Sequence, residues 1–140
     1  MLRDVTPLRI TLVLTVLAAV VVVLTRVRLS KDDREAAGRL SIPKDLLNTH
    51  TAAGVLALLT WSSFLATDKL VLGWIGLALW WVTAIVGLLI LARWMPARGR
   101  HSSGPMKDTW GEGPGLSILA HVGLVVGVGV FTALLVLGEL

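Results

Sequence analysis

Two histidines stand in stretches that are otherwise apolar, and they are the residues on which any chemistry of this chain would centre. His50 lies in "LLNTHTAAGVLALL" (residues 46–59) and His121 in "LSILAHVGLVVG" (residues 116–127). Ionisable side chains inside apolar spans are rare and tend to mark a functional path. The plain alternative is a hydrogen bond between helices, worth on average about 0.6 kcal/mol in one measured case. What two imidazoles can hold depends on the donors around them. The chain has no cysteine, which excludes thiolate sites, cysteine nucleophiles and disulfides. Zinc takes four ligands, and no Asp, Glu or Cys lies near this depth. Copper(I) favours sulfur, but Met95 and Met106 fall at or beyond the apolar boundary. Haem asks the protein only for axial ligands, and imidazole is a standard one. A histidine pair is sufficient for one haem and too small a set for most bare ions, so His50 and His121 are the candidate metal ligands.

For the pair to meet, the elements carrying it must bring both residues to one depth. Of 140 residues, 55% are hydrophobic and 16% charged, and the mean hydropathy is +0.80. Soluble domains carry about a quarter charged residues, so this composition predicts a membrane protein. A bilayer core about 30 Å thick asks for roughly 20 apolar residues per spanning helix. Four segments qualify, at about residues 8–27, 46–66, 70–94 and 116–137. Backbone groups in lipid must be satisfied within the segment, and no stretch has the alternation of a barrel strand, so all four are read as helices. Arg3 and Arg9 ahead of the first segment resemble a signal-peptide start. Its long apolar run has no small-x-small cleavage site before Arg26, which favours a retained helix. The expected fold is a single all-α domain: a polytopic membrane protein built as a four-transmembrane-helix bundle.

Local signals place the two histidine-bearing helices. Ser41 can cap, Pro43 suits a first turn and Asp45 complements the positive end of the helix dipole, so the second helix starts shortly before Leu46. Pro114 takes the same starting role in the fourth. His50 follows Leu46 by four residues and His121 follows Leu116 by five, roughly 6 and 7.5 Å along each helix at about 1.5 Å per residue. With one helix between them the two helices run in parallel, so the imidazoles should face each other at one level. The segment "TDKLVLG" between the second and third spans is short enough to force an antiparallel hairpin.

Charge sets the orientation. Arg26, Arg28, Lys31, Arg34, Arg39 and Lys44 fill the first connection, and Arg93, Arg98, Arg100 and Lys107 the third. Basic loops stay cytoplasmic, which predicts N-out and C-out topology in a bacterial plasma membrane. The net charge of +4 and the pI near 10.4 point to anionic lipid headgroups rather than nucleic acid, because the basic residues border apolar runs.

Several neighbours are candidates for a cofactor pocket. Ala53 and Gly54 follow His50, and Gly123 follows His121; they give clearance for a flat ligand or simply let helices pack closely. The Gly123-x-x-x-Gly127 spacing suits homo-oligomer formation through the fourth helix. Thr49 and Ser117 are candidates to orient the imidazoles. Lys44, Arg93, Arg98 and Arg100 are available to haem propionates, and equally are ordinary topology determinants. Trp74 and Trp94 suit the two interfaces as anchors, while Trp80 and Trp81 fall mid-span against a partner or cofactor. His101 reads as a solvated loop residue with a lesser prospect of a proton or quinone role. No phosphate loop, nucleophile elbow, catalytic dyad or nucleic-acid motif is present.

His50 in "NTHTAAG", His121 in "LAHVGLVVG" and the four-span plan together resemble the small b-type cytochromes of bacterial membranes, the four-helix haem subunits of dehydrogenases, hydrogenases and ferric reductases. Di-haem members need a second histidine pair, and the third helix has no histidine, so one bis-histidine haem b is the expectation. The resemblance implies a non-catalytic electron-transfer subunit of a redox complex, relaying single electrons between a partner protein and quinone. The alternative from another class is a cofactor-free accessory subunit whose histidines only pack helices. A small transporter or quinone pocket fits less well, because no acidic relay lies inside the spans.

Overall fold

The computed structural model describes residues 5–32, 44–94 and 114–140, with the side chains of residues 5, 25–32, 44, 93–94 and 114–117 outside that description. All regular structure among the described residues is helical: α1 (Val5–Asp32), α2 (Lys44–Thr67), α3 (Leu70–Trp94) and α4 (Pro114–Val136). Three of these helices are long and apolar enough to cross a membrane, over Thr6–Leu24, Leu70–Ala92 and Ile118–Val136. The second, with 24 residues, has the length. Asn48, His50, Thr51, Ser62 and Ser63 interrupt its apolar run, so its crossing does not follow from length and hydropathy.

The α2–α3 hairpin is built as the short connection requires. Only Asp68 and Lys69 separate the helices. Asp68 takes φ 55° and donates its amide to the Phe64 carbonyl at 2.8 Å, closing α2. Aspartate tolerates this left-handed conformation better than a bulkier residue. At the other end of the chain α4 stops at Gly138, φ +70°, with the Glu139 amide bonded to the Leu134 carbonyl at 2.9 Å. That is a glycine-terminated helix end with its last carbonyls satisfied.

Each helix turns one stripe inward. In α2 it is His50, Ala53, Gly54, Ala57, Trp61 and Phe64; in α3 it is Gly73, Gly76, Trp80, Thr83, Gly87 and Leu91. In α4 the stripe runs His121, Leu124, Val128, Phe131 and Leu135. The inner face of α1 is small and polar: Thr11, Thr15 and Ala18 are buried while Val13, Val16, Leu17 and Val20 are exposed. Thr15 donates its hydroxyl to the Thr11 carbonyl at 2.7 Å, so it needs no partner on another helix. Lipid is as apolar as leucine, so outward leucine and valine cost nothing, and small residues go where backbones approach.

The helices form a ring in which α1 touches α2 and α4, and α3 touches α2 and α4. The pairs α2 with α4 and α1 with α3 are diagonal. Trp61, Phe64, Trp80 and Phe131 fill the interior toward the α2–α3 turn, where Trp61 stacks on Phe131 with ring centroids 4.6 Å apart and tilts against Phe64 at 5.3 Å. One end of the bundle is therefore closed by aromatic packing. The other is lined by small residues and the histidines.

The α2–α3 contact depends on Gly76. A methyl group there would lie 3.0 Å from the Trp61 amide nitrogen and 3.1 Å from its Cα. These are backbone atoms that cannot swing aside, so Gly76→Ala must separate the two helices. The expected cost is about 1–3 kcal/mol, the usual penalty for overpacking, measured by denaturant or thermal unfolding in detergent. An unchanged unfolding midpoint would show that the hairpin does not need this approach.

Candidate functional site

His50 occupies the second turn of α2, where the helix enters its apolar stretch, and His121 the corresponding part of α4. Because α2 and α4 run in the same direction on opposite corners of the ring, the side chains converge through its centre. Their ring centroids lie 5.9 Å apart with planes inclined by only 19°. Imidazoles in direct face contact would sit at about 3.5–4.0 Å, so the two rings are parallel but offset or separated beyond face-to-face contact. Two imidazoles bound to opposite sides of one ion at about 2.0–2.1 Å per metal–nitrogen bond have centroids about 6 Å apart. The observed 5.9 Å is close to that spacing, but the two rings are stacked, whereas rings on opposite sides of one ion aim their nitrogens at it along one line.

The third member of the site is Gly87 of α3, which the sequence reading passed over. A methyl group at Gly87 would lie 2.6 Å from His121 Cδ2, 2.7 Å from His121 Nε2 and 2.9 Å from His50 Cε1. Both rings thus rest against the bare backbone of α3. The signal available in the sequence was its register: Gly87 precedes the end of α3 by seven residues, just as His50 follows the start of α2 by six.

His50 has one ring nitrogen of particular interest. Its Nδ1 is buried with no hydrogen-bond partner among the described residues, while the Thr83 carbonyl of α3 lies beside the ring as an acceptor. An unpartnered buried ring nitrogen is one a ligand or water could meet. Around the pair is a cavity of about 40 Å³. Its walls are Ala18, Val21 and Val22 of α1, Thr51 and Gly54 of α2, and, from α3 and α4, Trp80, Thr83, Ala120 and Leu124. Water fills about 30 Å³ in the liquid, so this space is closer to one ion or one water than to a macrocycle.

The remaining sequence candidates divide. Gly54 lines the cavity, with room limited by Thr83 Cγ2 at 3.4 Å and Val22 Cγ2 at 3.6 Å from a notional methyl. Ala53 is buried but does not line it. Gly123 is not brought to the pair: it is exposed, and a methyl there would meet nothing within 4 Å. Thr49 is also exposed. The α2 threonine that reaches the cavity is Thr51, whose hydroxyl donates to the Leu47 carbonyl at 2.9 Å. Lys44 and Arg93 occupy the α2 and α3 ends nearest the histidines, and their side chains, like that of Ser117, lie outside the described residues, as do Arg98, Arg100 and His101 altogether. Of the mid-span tryptophans, Trp80 lines the cavity, and Trp81 donates Nε1–H to the Thr132 hydroxyl at 3.1 Å. Among the described residues no group of three or more His, Cys, Asp or Glu is assembled for a metal.

No protein-family model, no curated protein and no solved structure matches this chain.

Proposed function

We propose that the protein is a membrane b-type cytochrome subunit that holds one haem between His50 and His121 and relays single electrons between a partner redox protein and quinone. The observation that carries this reading is the approach of two interior imidazoles to 5.9 Å between ring centroids, with no group of three or more His, Cys, Asp or Glu among the described residues. The donor set fits haem, which brings four nitrogens of its own and needs two from the protein. Haem, when bound, supplies the one-electron iron couple.

The chain's own residues supply orientation and burial. Gly87 lets both rings approach α3, and Thr83 of α3 lies beside the His50 ring. The macrocycle would exceed the 40 Å³ cavity, so haem would need more room between the helices than they leave here. Lys44 and Arg93, at the same end of the bundle, are suited to the propionates. In this reading α2 is a fourth span, both termini lie outside a bacterial plasma membrane, and partner subunits share the site's electrons.

The small cavity favours a second reading, a cofactor-free accessory subunit in which the histidines only join α2, α3 and α4. The visible spectrum of protein purified from haem-replete cells separates the two. A Soret band at one haem per chain supports the cytochrome; a colourless, monodisperse preparation rejects it.

Topology has a direct test because the chain has no native cysteine. A single cysteine at Lys69 should react with a membrane-impermeant maleimide in intact cells, and one at Ser103 only after the membrane is opened. Equal labelling of both from outside would refute the four-span arrangement.

A further inference from the structure

The cavity beside the imidazoles has both the room and the hydrogen-bonding chemistry for water. Its volume of about 40 Å³ is well above the roughly 10–15 Å³ at which a cavity first admits a water. Two side chains in its wall keep a buried polar atom without a hydrogen-bond partner among the described residues, His50 at Nδ1 and Trp80 at Nε1. Buried polar atoms of folded proteins are nearly always satisfied, by protein or by ordered water. We propose that the cavity is a hydration site, in which ordered water bonded to the histidine pair is held inside the apolar bundle. The proposal does not rest on the haem reading. It concerns the helices as they stand here, which leave space for water and not for a macrocycle.

The chemistry of the wall selects the occupant. Thr51 and Thr83 donate their hydroxyls to the Leu47 and Leu79 carbonyls at 2.9 and 2.8 Å, which leaves each hydroxyl oxygen as an acceptor. Trp80 carries an N–H donor, and a neutral imidazole has one donor and one acceptor nitrogen. Water suits this mixture because it donates and accepts alike. An ion would find no Asp, Glu, Lys or Arg side chain in the wall to offset its charge. Cavities that stay dry are lined by apolar groups alone, and this one is not. The rings are also arranged in a way that water tolerates. It meets its partners at roughly tetrahedral angles, so it does not ask two imidazoles 5.9 Å apart to aim along one line.

Two fully buried tryptophans provide the measurement. Trp80 lines the cavity, whereas Trp61, equally inaccessible, stacks on Phe131 and does not line it. X-ray radiolysis generates hydroxyl radicals from buried water as well as from solvent, and mass spectrometry reads the resulting oxidation residue by residue. In the full chain in detergent, Trp80 should be oxidised several-fold faster than Trp61. Gly54→Ala is the variant that fills the cavity. Its methyl would stand 3.4 Å from Thr83 Cγ2 and 3.6 Å from Val22 Cγ2, ordinary contacts with the α3 and α1 walls, so the fold should be kept while the Trp80 rate falls toward that of Trp61. Ala120→Val fills the same space from α4 and replaces Gly54→Ala if gel filtration shows that variant to be misfolded. Equal rates for Trp80 and Trp61 in the wild type overturn the proposal whichever variant folds. A fast Trp80 rate that the filling variant leaves unchanged also overturns it, because the water is then elsewhere. The visible spectrum is recorded first and decides the haem reading by itself. A coloured preparation is replaced by protein from haem-starved cells before radiolysis, so that either reading can fail without the other.

Discussion

Replacing either His50 or His121 by alanine is expected to remove the Soret band of the purified protein, with haem per chain falling at least about tenfold. Loss of a group that merely orients a ligand already costs about 10–100-fold in metal affinity, so loss of the ligand itself should cost no less. The two variants should behave alike, because the imidazoles meet across the bundle and neither has a neighbour able to replace it. Among the described residues no other His, Cys, Asp or Glu group gathers at this site. The fold should survive both changes, since neither ring belongs to the aromatic cluster that closes the other end of the molecule. Circular dichroism and gel filtration check that point. Added imidazole should restore part of the band in either variant by occupying the vacated position. Retention of full haem content after loss of one histidine would remove that residue from the ligand set.

Trp61→Ala should be the most destabilising single change in the described residues, costing about 3–5 kcal/mol as for other buried tryptophan truncations. Trp61 is fully buried, stacks on Phe131 at 4.6 Å and touches Phe64, so its removal separates α2 from α4 at the closed end. Its indole nitrogen is buried without a hydrogen-bond partner among the described residues, so the residue contributes through its area rather than its polarity. Trp61→Phe keeps an aromatic ring in place and discards the unpaired donor, so it should cost less than about 1.5 kcal/mol. Trp74→Ala supplies the contrast: at 45% exposed it faces outward, and its loss should stay within about 0.5 kcal/mol. Unfolding of the three variants by a denaturing detergent, followed by circular dichroism, measures the order. Equal midpoints for Trp61→Ala and Trp74→Ala would refute the closed aromatic end.

A span of apolar residues forms a helix in lipid whatever its neighbours do, because backbone hydrogen bonds can be made only within the segment. For that reason the sequence alone determined the helical elements, the hairpin at Asp68 and Lys69, the start of α4 at Pro114, and three helices long and apolar enough to cross a membrane. It also placed His50 and His121 at a common level, since depth along a helix is a matter of counting residues. Rotation about the helix axis is a different quantity. In α1 valine and leucine surround the helix so evenly that no hydrophobic face marks the interior, and lipid exerts no preference among them. Only the packed bundle decided that Thr11, Thr15 and Ala18 face inward, that Gly123 and Thr49 face out, and that Thr51 rather than Thr49 reaches the cavity. The same holds for Gly87. A glycine among many in apolar helices carries no mark of its own, and its place beside both imidazoles exists because three helices, distant in the chain, close their inner stripes on one point.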